Sequence, residues 1–128
     1  MNYIIDTHTL IWYLEDNLAL SSFSTTLIEN SLNNIYISQA TMLEMSIKIS
    51  LGKLTLPVSL NDLYFHFERA GWSILPLSQM DMIKLSQLPF HHGDPFDRMI
   101  VCQCLNHNYP IVSKDTILDK YGIKRYWN

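Results

Sequence analysis

The segment HHGDPFDRMIVCQC (91–104) places Asp94 and Asp97 three positions apart around Pro95-Phe96, at the mouth of an apolar stretch. Helix chemistry explains part of this. Asp94 suits an N-cap, Pro95 the first helical position, and Asp97 the first turn, where a negative charge meets the positive end of the helix dipole. Three further acids recur in similar settings. Asp6 ends the apolar run NYII, and Asp115 follows the apolar IVS within SKDT. Each taken alone reads as a cap or turn residue. Glu44 is harder to place, because MLEMSIKI has almost no polar face and burying an unpaired carboxylate is costly. A pair with Lys48, four residues on, contributes only about 0.2–0.5 kcal/mol on an exposed helix.

Taken together the acids imply a specific chemistry. Carboxylates held close raise one another's pKa values, which is unfavourable without a cation. An all-oxygen cluster suits Mg²⁺ or Mn²⁺ and ill suits zinc. Such a cation acidifies water and stabilises charge building on a phosphoryl oxygen, the requirements of phosphodiester hydrolysis. The histidines do not point to zinc. His91 and His92 are adjacent and diverge, while His66 and His107 fall on separate predicted helices, so each reads as a surface or core polar group. Cys102 and Cys104 are two apart in a predicted helix, point to different faces, and read as small buried residues in a reducing compartment. Met42, Met45, Met80, Met82 and Met99 read as core filling, and Trp12 and Trp72 as core or interface residues.

The elements that must position the acids alternate along the chain. Strands are predicted at 2–5, 35–38, 72–77 and 109–113, with a plausible edge strand in the tail 123–127. Helices are predicted at 7–16, from Ser21 or Ser22 to about 31, at 39–53 stopping at Gly52, and from a Ser59 cap to Gly71. Two more cover 78–88 and 95–108. Strands separated by helices imply parallel β-α-β units with helices on both faces of the sheet. Ligands then bind outside the carboxyl ends of the strands. Asp6 and Asp115 sit at two such ends, and Asp97 and Glu44 reach the same rim, so four distant stretches converge on one place.

Composition sets the bounds. At 128 residues, 48% hydrophobic and 16% charged, the chain reads as one globular domain spanning 1–128, which excludes a disordered or low-complexity protein. No apolar run approaches a bilayer span. MNYIID lacks a basic region and is cut by Asp6, so no signal peptide is expected. A formal net charge of −3 at first argues against a nucleic-acid ligand, but removing Asp6, Glu44, Asp94, Asp97 and Asp115 leaves a mildly basic +2.

IIDTHTLIWYLED, YISQATMLEMSIKISLGKLTLP, LPFHHGDPFDRMIVCQC and IVSKDTILDKYGIKRYW together run through essentially the whole chain. They resemble the PIN-domain ribonucleases, especially the VapC-like toxins of prokaryotic toxin–antitoxin systems. DTH-x-L-x-W and H-x-DPFDR, in this order and spacing, carry the signal. The resemblance implies an α/β, three-layer fold with a central parallel sheet of about five strands flanked by helices. It maps the family's four acids onto Asp6, Glu44, Asp97 and Asp115, with Asp94 as a weaker, outer metal acid. It further implies Mg²⁺ or Mn²⁺ as cofactor, RNA as substrate in the prokaryotic cytoplasm, a cognate antitoxin, and a homodimer. Lys48, Lys53, Arg98 and Lys114 lie near the acids in sequence and are candidates for substrate phosphates. Gly93 stands where this subgroup often has Arg, and Cys102 and Cys104 stand where small Ala residues are usual. A receiver-type signalling domain fits less well. It needs adjacent acids after the first strand and an Asp ending the middle one, whereas Asp6 precedes Thr7 and the third strand ends in LPLS. A catalytically inactive PIN-fold module binding RNA or protein is the more serious alternative.

Overall fold

Strand β1 (Asn2–Ile5) is buried along nearly all its length, as an apolar run without polar alternation requires when both sheet faces are covered. It pairs in parallel with β2 (Asn34–Ser38) on one side and β4 (Ile111–Val112) on the other. β3 (Ser73–Leu75) continues the sheet beyond β2, and β5 (Arg125–Tyr126) beyond β4, giving the order β3-β2-β1-β4-β5 with every pairing parallel. The computed structural model describes all residues 1–128.

Six α-helices connect the strands: α1 (Thr7–Leu14), α2 (Ser22–Glu29), α3 (Gln39–Ser50), α4 (Leu60–Ala70), α5 (Gln79–Gln87) and α6 (Pro95–His107). A 3-10 helix (Thr116–Tyr121) lies between β4 and β5. Alternation along the strands divides the core into two layers. Tyr3, Ile5, Ile35, Ile37 and Val112 face Leu10, Leu27, Met42, Met45, Leu63 and Phe67. Ile4 and Ile111 face Ala40, Leu75, Ile100, Val101, Cys102 and Cys104. The result is the expected three-layer α/β fold.

The predicted strands shrink where proline intervenes. WSILPL keeps only Ser73–Leu75 and YPIVS only Ile111–Val112; Pro76 and Pro110, which have no N–H to give a ladder, flank the two strands. α1 stops at Leu14, two residues early, and the chain turns through Asp16 at φ 52°. α4 begins and ends as its signals imply: Ser59 accepts from the Asp62 amide, and Gly71 takes the left-handed φ of 74° at the C-terminus. In α5, Ser78 and Asp81 form a reciprocal capping box, and the fully buried Asp81 also accepts from Asn106 at 2.8 Å, tying α5 to α6. No helix is long and apolar enough to cross a membrane.

Candidate active site

The chain runs outward from β1 to β3, then crosses to β4 on the opposite side of β1. Connections leaving neighbouring strands in opposite directions open a crevice at their carboxyl ends. Asp6 follows β1 directly and Ser113, Lys114 and Asp115 follow β4, so both ends feed one cleft. Its volume is about 360 Å³, and it is lined by Asp6, His8, Trp12, Asp97, Ser113, Lys114 and Asp115.

Asp6 caps α1. One carboxylate oxygen accepts from the Thr9 amide at 3.0 Å and from Thr9 Oγ1 at 2.5 Å, and the other accepts from Ser113 Oγ. Burial raises its pKa above the ordinary carboxylate range, opposed by the hydrogen bonds from Ser113 and Thr9. Asp97 sits in the first turn of α6, and its pKa is raised from 3.8 to about 6, first by burial and then by the charges of Asp94, Asp6 and Glu44, with His92 opposing. No hydrogen bond contributes to that balance, so only more distant charges offset its own. Asp94 caps the same helix, with Oδ1 accepting from the Phe96 amide at 2.8 Å and the Asp97 amide at 3.4 Å.

Glu44 is 3% exposed on α3. Its Oε2 accepts from Lys48 Nζ at 2.7 Å, while Oε1 is buried without any partner. That ion pair raises the Lys48 pKa, with smaller contributions from Asp94 and Asp97. Glu44 does not line the cleft, yet its charge reaches Asp97. Asp115 caps the 3-10 helix through the Ile117 amide at 3.0 Å, and its Oδ2 meets His92 Nε2 at 2.6 Å. His92 is itself held by Tyr121, whose hydroxyl accepts from the His92 amide at 2.9 Å and lies 3.0 Å from Nδ1. Every partner is satisfied when the Tyr121 hydroxyl donates to Nδ1 and His92 Nε2–H donates to Asp115.

Whether these groups fit a divalent cation follows from their donors. All are carboxylate oxygens, the set a hard cation prefers. Asp97 lacks a donor of its own, and the orphaned Glu44 Oε1 is a buried acceptor of the kind that costs free energy until paired. The residues fit Mg²⁺ or Mn²⁺. As they stand, no three acidic, histidine or cysteine side chains are gathered tightly enough to hold an ion. Two of the acids are engaged elsewhere, Glu44 by Lys48 and Asp115 by His92.

The basic residues divide. Lys114 lines the cleft. Lys48 is engaged by Glu44, and Lys53 lies in the exposed turn beyond α3, away from the cleft lining. Arg98 has a different setting. It is 5% exposed, donates to the Pro89 and Leu88 carbonyls at 2.9 and 3.1 Å, and stacks on the Phe90 ring at 3.8 Å. It braces the loop before α6 and does not line the cleft. Sequence reading also missed residues that serve the acids. Thr9 lies at Asp-x-x-Thr spacing, a capping signal visible in DTHT. Ser113 sits directly after a strand in IVSKD, but nothing local marks it as a partner of Asp6. His92 was read as a polar surface or core group, and its pairing with Asp115, 23 residues on, has no local signature.

Solved structures share this fold over nearly their full length. They include VapBC2 from Rickettsia felis bound to a promoter DNA fragment, at 15% identity, covering 100% of both chains with a TM-score of 0.73. VapBC-1 from nontypeable Haemophilus influenzae is similar at 19% identity, covering 98% of this chain and 97% of that one, with a TM-score of 0.66. FitAcB from Neisseria gonorrhoeae follows at 16% identity, covering 97% and 96%, with a TM-score of 0.62. Identities this low speak for the fold alone. No curated protein sequence matches the chain. The family model of the PIN domain matches residues 3–124, nearly the whole chain, and with the parallel sheet and its acid-lined crevice in place, this protein belongs to the PIN-domain family.

Proposed function

We propose that this protein is a Mg²⁺- or Mn²⁺-dependent endoribonuclease that hydrolyses RNA phosphodiester bonds, and the toxin of a toxin–antitoxin pair in the prokaryotic cytoplasm. One observation carries the chemical part. Asp97 lies in the cleft at the switch point with its pKa raised to about 6 and no hydrogen-bond donor, within the field of Glu44, one of whose oxygens is orphaned.

Asp6, Asp97, Asp115 and Glu44 would hold the cation, with Asp94 an outer acid. When bound, the cation supplies a Lewis acid for the phosphoryl oxygen and acidifies water. The chain's own residues organise the rest. Thr9 and Ser113 fix both oxygens of Asp6. Tyr121 orients His92, which orients Asp115. Lys114 brings the positive charge of the cleft wall to a flanking phosphate. Cleavage of single-stranded RNA with Mg²⁺, abolished by chelation and by Asp6→Asn or Asp97→Asn in folded protein, tests the reading. The competing reading, an inactive binding module, draws on the absence of a preassembled cation cage. RNA binding without cleavage at any Mg²⁺ or Mn²⁺ concentration would decide for it.

The toxin assignment rests on likeness to the toxin–antitoxin structures and on apolar surface. Tyr64 and Phe65 on α4 are 47% and 63% exposed, and Leu43 and Ile47 on α3 are 45% and 41% exposed. Tyr13 is half-buried against the core. A homodimer and a cognate antitoxin would cover such surface, each interface burying at least about 1,000 Å² in total. Growth arrest on expression, relieved by the neighbouring open reading frame through a stable complex, is the expected outcome.

A further inference from the structure

We infer that Trp12, flanked by His8 and Trp127, forms a stacking platform for one unpaired nucleobase beside the acid cleft. The inference rests on the nuclease reading for its substrate and adds the subsite that would hold the base next to the cleaved phosphate.

Trp12 is placed for a ligand and not for the core. Its neighbours Ile11, Tyr13 and Leu14 all pack against the buried cluster on one face of the sheet, whereas Trp12 packs against neither cluster. One helical turn separates His8 from Trp12, so both project from the face of α1 that begins at Asp6. The His8 and Trp12 rings lie 5.9 Å apart, and Trp127 meets Trp12 edge-on at 6.0 Å with planes inclined 63°. Trp127 packs against the core cluster, so it buttresses the indole, which stays partly exposed.

Trp12 is the only apolar residue lining the cleft; the others are acids, His8, Ser113 and Lys114. A ligand suited to such a wall combines one flat π-surface with negative charge that the lysine and a cation can neutralise. A nucleotide has both. The volume of about 360 Å³ falls at the lower end of small-ligand pockets, roughly 300–1,000 Å³, room for one unit and not a duplex. Base–aromatic stacking tolerates any base, because every base has a π-face, so the subsite demands an unpaired base more than a particular one.

The test compares the four ribonucleoside 5′-monophosphates with ribose 5-phosphate, which has the phosphate and sugar but no base, by calorimetric titration in Mg²⁺. The best nucleotide should bind roughly 5- to 150-fold more tightly than ribose 5-phosphate, the range stacking commonly gives. Trp12→Ala should collapse that ratio toward one without moving the ribose 5-phosphate affinity, and Trp12→Phe should keep part of it. Unchanged far-ultraviolet circular dichroism confirms that both variants fold. Equal binding of all probes to the wild type, no binding of any, or a ratio that survives Trp12→Ala would overturn the subsite. So would loss of a co-expressed protein partner on Trp12→Ala with the ratio intact, which would make this wall a protein contact. The readout involves no cleavage. A Trp12-dependent preference for nucleotides in a protein that cleaves no RNA would keep the subsite and remove the nuclease.

Discussion

Replacing Asp97 with asparagine should stabilise the metal-free protein while destroying its response to Mg²⁺. The pKa of Asp97 rises from 3.8 to about 6, which at about 1.36 kcal/mol per unit corresponds to about 3 kcal/mol of destabilisation by the ionised carboxylate. The group is only half-buried, and solvent screening reduces this to about 1–2 kcal/mol. Asparagine also forfeits the attraction of an anion to the N-terminus of α6, about 0.3–1 kcal/mol. The net gain is about 1 kcal/mol, or roughly 3–5 °C in melting temperature for a domain of this size. The sign with pH follows from the direction of the shift. The folded carboxyl binds its proton more tightly than the unfolded one, so its favourable contribution is complete below about pH 4 and lost as pH rises through about 6. The advantage of Asp97→Asn over wild type should therefore widen from pH 5 to pH 7 and then level off. Saturating Mg²⁺ should reverse the ranking, since a ligand at 100 times its dissociation constant stabilises wild type by about 2.7 kcal/mol. Urea denaturation in chelator at pH 5 and 8, repeated at pH 8 with Mg²⁺, measures all of this. An Asp97→Asn protein less stable than wild type in chelator at pH 8, or an advantage independent of pH, would refute the reasoning.

Other residues give sharper separations of role. Arg98→Met should cost about 2–3 kcal/mol of stability by urea denaturation, because the Leu88 and Pro89 carbonyls lose a charged donor. If Arg98 contacted phosphate instead, the salt slope of RNA binding would fall by about 1 in its place. Tyr121→Phe removes the group that fixes the His92 ring and should weaken Mg²⁺ binding about 10- to 100-fold, read from melting temperature against Mg²⁺ concentration. The thiols should resist alkylation at pH 8 until the protein unfolds, since both are buried and burial pushes Cys102 up to about 11 and Cys104 higher still. Rapid labelling of native protein would contradict that.

The fold was readable because its signals are local and repeated. Apolar runs such as NYII and IYIS, each followed by a capping residue and a helical pattern, leave little besides a parallel sheet, and the caps Ser59, Asp94 and Gly71 act as their sequence contexts imply. Strand lengths were less readable. Two-residue strands such as Ile111–Val112 carry almost no periodicity, and the partners that hold them come from β1, more than a hundred positions away. The same limit governs the site. The acids stand out because a carboxylate in an apolar context is anomalous by itself. Ser113 and His92 do not, because a serine after a strand and a histidine in a loop are ordinary until Asp6 and Asp115 are brought to them. Arg98 is the opposite case: adjacency to Asp97 in sequence suggests the cleft, but adjacent residues on a helix point about 100° apart, and this one is turned into the protein.

The two accounts of DPFDR, helix cap or chemical site, describe one arrangement. Asp6, Asp94 and Asp115 each cap a helix and accept backbone hydrogen bonds at its N-terminus. Those bonds satisfy carboxylate oxygens along one rim, although burial still raises the Asp6 pKa. Asp97 and Glu44 have no such compensation. One lacks any donor, and the other is half-satisfied by Lys48 with an oxygen left bare. A cation entering the cleft would meet these open acceptors, and the capping acids would keep their helices throughout. It follows that Asp94→Ala, which costs about 0.5–2 kcal/mol as a lost cap, and Asp97→Asn, which gains stability without metal, should shift folding in opposite directions although the two residues are three apart on one helix.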